Sequence, residues 1–267
     1  MMRGYGSGFH LGLLPVVTNI ILINVLVHAL RATMVDGALD EHFALYAIGS
    51  PNFRPWQLVT HMFMHADIGH LFGNMFGLFM FGTTLEHLWG PKRFLTYYML
   101  TGLGAAALQL GVNAWEHQAH LEALAAYGLG DADIRGLSVP GLSDEDWRSG
   151  MLALFDKAGV RDQVQADVLS GEVMRAVGDL VGRMVGASGA VFGILIGFGM
   201  MLPNEVIYAP GLLIPLKAKY VVAIYGIFEL FQGVRPMDGD SVAHYAHLGG
   251  MLFGFLLIRH WKRTTLL

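Results

Sequence analysis

Five stretches of this chain are too apolar and too long to be ordinary surface helices. They lie within residues 4–30, 68–85, 94–115, 184–202 and 241–258. Residues 184–202 run for 19 positions without a charge. A helix needs about 20 apolar residues to cross the hydrocarbon core of a bilayer. A sixth stretch, about 219–234, is interrupted by Glu229. It is counted because the chain must cross once more between the fourth and last spans to keep its charge asymmetry. Glu229 itself reads as a residue near a helix end, with a functional intramembrane acid as the alternative. Only 14% of the 267 residues are charged, against about 25% in soluble domains. These features predict an all-α membrane protein with six transmembrane helices.

The basic residues orient the spans. Arg3, Lys92, Arg93, Lys217, Lys219, Arg259, Lys262 and Arg263 fall on one face, and the short loops of the other carry Arg31, Arg54 and Arg235. By the positive-inside rule both termini are expected in the cytoplasm. No small-residue cleavage site follows a short apolar core near the N-terminus, so the first span reads as retained. An Arg- and Ser-rich transit peptide is also absent, which favours the plasma (inner) membrane of a bacterium over an organelle.

Residues 116–183 are of another kind. They hold 12 of the 21 acids and 6 of the 17 bases, a net charge of −6. The expected organisation is therefore a membrane core of residues 1–115 with a first loop over 34–62, an acidic helical insert of 116–183, and a membrane core of 184–267. The insert is expected outside the cytoplasm. Ser143 before Asp144, Glu145 and Asp146 reads as an N-cap with acids in the first turn. That helix would run to about Lys157 and end at Gly159. A second would cover about 161–183, with Val164, Val168, Val177, Leu180, Val181 and Met184 near one apolar stripe. The stretch around 128–141 reads as loop. The insert is either a solvated hairpin packed on the membrane part or a lid that recruits substrate, and its partner, if it has one, is unknown.

Two motifs within the apolar stretches carry chemistry. Ser188 sits in Gly186-Ala187-Ser188-Gly189, and His247 in Ala246-His247-Leu248-Gly249-Gly250. A serine hydroxyl is a poor nucleophile until a base takes its proton, and a neutral imidazole suits that task. The topology places both residues at similar depth, near the outer face. No carboxylate lies within either span, so a dyad is expected rather than a triad. Asp238 and Asp240 read as loop residues. Gly189, Gly193 and Gly197 recur every fourth residue, as do Gly250 and Gly254, a spacing that lets helices approach closely in lipid. It also serves plain packing.

His70 and Asn74 lie four residues apart and so share a helical face. Together with the Ser188 backbone N–H they are candidate donors to an oxyanion; interhelical hydrogen bonding is the simpler reading. His244 shares nearly the same face as His247 but has no glycine at the matching offset, so His247 is the better base. His61, His65 and His70 lack a zinc-protease pattern such as HExxH. No cysteine is present, which removes disulfides, a thiol nucleophile and a cysteine zinc site. No basic cluster suggests nucleic acid.

These residues together resemble the rhomboid intramembrane serine proteases. Gly186–Gly189 matches the family's GxSG, Ala246–Gly250 its AHxxG, and His70–Asn74 its HxxxN. His65 looks like the family's upstream histidine, and Gly82-Thr83-Thr84-Leu85-Glu86 resembles its GxxxE. The resemblance covers residues 11–114 and 184–260. It implies a six-helix rhomboid-like bundle that cleaves single-span membrane proteins from within the bilayer, with no cofactor, metal or ATP. Ser188 would be the nucleophile, His247 the general base and then acid, and His70, Asn74 and the Ser188 amide the oxyanion hole. Residues 36–61 would form a large first loop lying partly in the membrane, with Trp56 as interfacial anchor. Residues 233–240 would cap the site. The family often has Trp-Arg in the first loop. Here Gln57 follows Trp56, which puts the loop's internal hydrogen bonds in question. The insert is larger than the family implies. The alternatives are a catalytically silent rhomboid-like scaffold that binds membrane helices, and a channel or transporter using polar intramembrane residues.

Overall fold

The computed structural model describes residues 15–34, 38–139, 141–208, 215–235 and 243–264. The architecture is all-helical. In chain order come α1 (Pro15–Thr33), α2 (Ala38–Phe43), β1 (Leu45–Tyr46), α3 (Gln57–Thr60), α4 (Ile68–Gly77), α5 (Thr83–Trp89) and α6 (Pro91–Ala125). A π-helical turn, Leu78–Gly82, joins α4 to α5. Then follow α7 (Asp131–Leu137), α8 (Asp144–Lys157), α9 (Gln163–Val181), β2 (Arg183–Met184), α10 (Ser188–Met201), β3 (Val206–Ile207), β4 (Leu216–Lys217), α11 (Ala218–Val234) and α12 (His244–Arg263). The strands form two short antiparallel pairs, β1 with β2 and β3 with β4. Among the described helices, α1 and α6 are each long and apolar enough to cross a membrane, and α10 is a shorter apolar helix.

The centre of the molecule is the contact among α6, α10 and α12, and glycine makes it possible. A Cβ on Gly250 would strike the carbonyl oxygen of Gly189 on α10. One on Gly254 would lie 3.1 Å from the Gly193 carbonyl, and one on Gly249 3.0 Å from the Gly104 carbonyl of α6. The four-residue glycine spacing is therefore used where backbones touch. The Tyr97 hydroxyl, fully buried, crosses from α6 and donates to the Gly193 carbonyl at 2.7 Å. At the start of α12 the Ala246 N–H is shared between the Ala243 carbonyl, at 2.9 Å, and the Gln109 side-chain oxygen of α6, at 3.1 Å.

Glu86 explains the GxxxE pattern. Its two carboxylate oxygens accept from the N–H groups of Val16 and Val17, at 3.1 and 2.9 Å. A carboxylate at a helix N-terminus satisfies free donors and meets the positive end of the dipole. Gly82 lies beside the same joint, where a Cβ would sit 3.3 Å from Val17.

The first loop is held by Gln57, which is wholly buried. Its Oε1 accepts from Arg54 N–H at 3.0 Å, and its Nε2 donates to the Asn52 carbonyl at 3.0 Å. Glutamine thus supplies the internal hydrogen bonds that the missing arginine put in question. Trp56 is half exposed and donates its indole N–H to the His42 carbonyl at 2.9 Å. Asp40 is buried and bridges Arg31, at 2.7 Å, and Arg183, at 3.3 Å. The Arg31 hydrogen bond holds its carboxyl below the usual range.

Residues 126–183 differ from the expectation in two respects. The stretch around 128–141 contains α7. The apolar stripe of α9 is Leu169, Val173, Ala176, Val177 and Leu180, packed on Leu124, Ile134 and Leu154. Val164 is 73% exposed, and Val168 and Val181 also face outward. At about 100° per residue, Val168 and Val177 lie on opposite faces of one helix, so the expected stripe joined two sides. Ser143 does cap α8, accepting from the Asp146 N–H at 3.1 Å. Gly159 ends it with φ +65°, a left-handed conformation suited to glycine. α6 continues ten residues past Trp115, to a length of about 52 Å at about 1.5 Å per residue, and carries this unit on its end.

Two outcomes test these contacts. Gly250→Ala should lower stability in detergent by about 1–3 kcal/mol or more, while Gly111→Ala, where a Cβ meets nothing within 4 Å, should leave it unchanged or slightly raised. Asp40→Asn should lower stability at pH 7 by about 1–2 kcal/mol. A depressed carboxylate stabilises above its unfolded value of 3.8 and loses that contribution as pH falls below it. Thermal unfolding of the two proteins should therefore converge toward acid pH.

Candidate active site

Ser188 is the first residue of α10, so its N–H has no acceptor within the helix. His247 lies in the first turn of α12. The glycine contact sets the two helices so that the Ser188 Oγ is 2.9 Å from His247 Nε2. The pair that the sequence placed at similar depth is in hydrogen-bonding contact. Phe192, one turn after Ser188, stacks on the imidazole with ring centroids 4.2 Å apart and planes 10° apart. His247 is therefore fixed in plane from one side.

His244 is the first residue of α12. Its Nδ1 is hydrogen-bonded to Glu229 Oε2 at 2.6 Å. The same oxygen is 2.9 Å from His247 Nδ1, close enough for an ion pair though off the line of a good hydrogen bond. This departs from the sequence reading of Glu229, which lies inside α11, five residues before its end, and is 5% exposed. The serine and histidine spans hold no carboxylate, but Glu229 of a third helix lies beside His247.

Glu229, His244 and His247 also place three ligand-type atoms within 4.8 Å of one another, the sole such group among the described residues. The His244 hydrogen bond and the approach of His247 to the same carboxylate oxygen bring these atoms together.

His70 and Asn74 both lie on α4. Asp67 caps this helix, accepting from the His70 N–H at 2.8 Å, and that bond holds its carboxyl below the usual range. Gly186 locates His70 relative to the serine. A Cβ on Gly186 would lie 2.8 Å from His70 Nε2 and 3.5 Å from Ser188 Oγ. Its φ is +126°, a conformation L side chains avoid. Asn74 is buried, and its Nδ2 has no acceptor among the described residues. Such an amide is costly to bury and is a donor available to an incoming oxygen. His65 Nε2 faces the Ala187 N–H at 3.5 Å, and its ring meets that of His70 edge-on at 5.1 Å.

The segment before Ser188 is anchored in the first loop. Leu45 pairs with Met184 and Tyr46 with Arg183, and the Gly186 N–H donates to the His61 carbonyl at 2.9 Å. Of the expected capping loop over 233–240, residues 236–240 lie outside the described residues.

The Rhomboid domain family model matches residues 52–130 and 164–262, and the chain belongs to this membrane-embedded family, whose members are generally intramembrane serine proteases. It is 26% identical to RHOMBOID-like protein 1 of Arabidopsis thaliana over 83% of this chain and 37% of that protein. It is 28% identical to the mitochondrial RHOMBOID-like protein 12 of the same plant, over 77% and 47%. Rhomboid-like protease 3 of Toxoplasma gondii is 35% identical over 27% of each chain. The chain spans less than half the length of these relatives.

Gly186→Ala should abolish the reactivity of Ser188 toward a fluorescent fluorophosphonate while the protein remains folded. Labelling at the wild-type rate would mean that neither the left-handed turn nor the space beside His70 matters.

Proposed function

We propose that the chain is an intramembrane serine endopeptidase that hydrolyses peptide bonds of single-span membrane proteins. The observation that supports it best is the 2.9 Å contact between Ser188 Oγ and His247 Nε2 at the heads of two apolar helices. His247 Nε2 takes the hydroxyl proton as Ser188 Oγ attacks the scissile carbonyl carbon. The carbonyl π electrons move onto oxygen, which in this reading accepts from His70, Asn74 and the Ser188 N–H. The intermediate collapses, the C–N bond breaks, and His247 protonates the leaving amine. Water then attacks the acyl-serine ester, again with His247 as base, and releases the second product. No metal, nucleotide or redox group takes part.

A substrate helix with all its backbone hydrogen bonds made cannot present a carbonyl to a serine. The substrate class is therefore a span whose segment near the membrane surface unwinds readily. In this reading the apolar segments ending in α1, α5, α6, α10, α11 and α12 make six crossings, with residues 1–115 and 184–267 as the membrane core. The distribution of basic residues favours both termini in the cytoplasm, and in this reading the membrane is a bacterial inner membrane with Ser188 opening to its outer face. Residues 116–183 then form a unit outside the cytoplasm.

Wild-type protein in detergent should label with a fluorophosphonate and cleave a single-span substrate, and Ser188→Ala and His247→Ala should do neither. Asn74→Ala should retain labelling and lose about 10²–10³-fold in turnover. A folded wild type that neither labels nor cleaves, yet retains membrane helices, would overturn the enzyme reading in favour of a silent scaffold.

A further inference from the structure

We propose that Glu229 is a positioning residue for His247: its buried carboxylate, supplied by α11 and steadied by His244, selects the imidazole form that can accept the serine proton. The inference rests on the protease reading and adds a third member to its machinery.

Glu229 Oε2 lies 2.9 Å from His247 Nδ1 and 2.6 Å from His244 Nδ1. A neutral imidazole carries one ring proton, on either nitrogen. Ser188 needs Nε2 bare, because Nε2 must accept, so the proton must sit on Nδ1. Phe192 stacking fixes the plane of the ring but does not distinguish its two nitrogens. An acceptor beside Nδ1 does, and Glu229 is the group in that place. As Ser188 reacts, His247 becomes an imidazolium, and a carboxylate at 2.9 Å stabilises that charge where apolar surroundings would oppose it.

Burial argues the same way. Glu229 is 5% exposed in a helix whose Ile227, Phe228, Leu230 and Phe231 are all exposed apolar residues. An acid held inward on such a helix is expensive unless it is paired or used. A purely structural tie between α11 and α12 would be complete with His244 alone. The approach of the same oxygen to His247 is the additional feature, and it ends on the candidate base. The contact is off the ideal N–H line, so its effect should be smaller than that of an aligned triad carboxylate, whose loss costs about 10⁴-fold.

The test uses the full chain in detergent and saturation kinetics with a fluorescent fluorophosphonate, which separate probe binding from the chemical step. Glu229→Gln should lower the maximal inactivation rate about 10–100-fold and leave probe binding within about twofold, whereas Glu229→Asp should recover part of the loss. A Glu229→Gln rate within twofold of wild type would overturn the proposal. Independently of activity, ¹⁵N-histidine spectra in a Ser188→Ala background, with His247 assigned by its loss in His247→Gln, should show Nδ1 protonated and Nε2 bare. In Glu229→Leu the two forms should mix, and an unchanged pattern would equally overturn the proposal. If wild type labels no faster than Ser188→Ala, the protease reading fails, and the spectra still decide whether Glu229 sets the ring proton.

Discussion

The whole site hangs on a backbone-to-backbone contact. In lipid there is little hydrophobic force to bring helices together, so close association depends on van der Waals fit and on small residues. Gly250 lies against the Gly189 carbonyl, and Gly254 and Gly249 against the Gly193 and Gly104 carbonyls. Ser188 precedes Gly189 by one residue, and His247 precedes Gly250 by three. The Ser188 and His247 side chains therefore project from within a turn of the contact, and their separation inherits its tolerance. A helix pair spaced by leucines would stand a few ångströms further apart and lose the hydrogen bond. The glycines that pack α10 on α12 and the Ser188–His247 pair form one unit.

Around that contact the protein keeps polar groups where they are expensive. Asn74 Nδ2 and His65 Nδ1 are buried without partners among the described residues, and Glu229, His244 and His247 are buried together. Groups left in this condition detract from stability but need no reorganisation when charge develops beside them. Their positions are maintained from outside the site. Glu86 seats the end of α1, Gln57 closes the first loop, and the β1–β2 pair with the His61 carbonyl holds the backbone that enters Ser188. Several of these groups would look incidental if judged by distance from the serine.

What could be read from the sequence follows helical arithmetic. His70 and Asn74 share a face because four residues make roughly a turn, and Ser188 and His247 were found because each stands beside a glycine repeat. The cap at Ser143 and the stop at Gly159 carry local signals of the same kind. Glu229 had none. It is 18 residues from His247 on another helix, and only the packing of α11 on α12 brings them together. Read along its own segment, an acid in an apolar run looks like a helix end. The α9 stripe failed for a different reason: several valines were within reach of a periodic pattern, and only Leu124, Ile134 and Leu154, contributed by other helices, decide which face is inside. Gln57 shows the converse, a departure from a family motif that leaves the function of the position intact, since an amide can both accept and donate.

The family match breaks between residues 130 and 164, the stretch that holds α7 and α8. That unit has a hydrophobic core of its own around Leu124, Ile134, Leu169 and Val173, yet it is not suspended freely. Arg135 on α7 donates to the Gly49 carbonyl in the first loop. Arg183, just beyond α9, pairs with Asp40 and lies in β2, whose partner β1 belongs to the same loop. β2 leads within a few residues to Gly186 and Ser188. A shift of α9 relative to α6 would pull on the strand whose continuation carries the left-handed turn beside His70. The added helices are thus joined to the nucleophile through covalent chain and two backbone pairings, a shorter and stiffer route than any through side-chain packing.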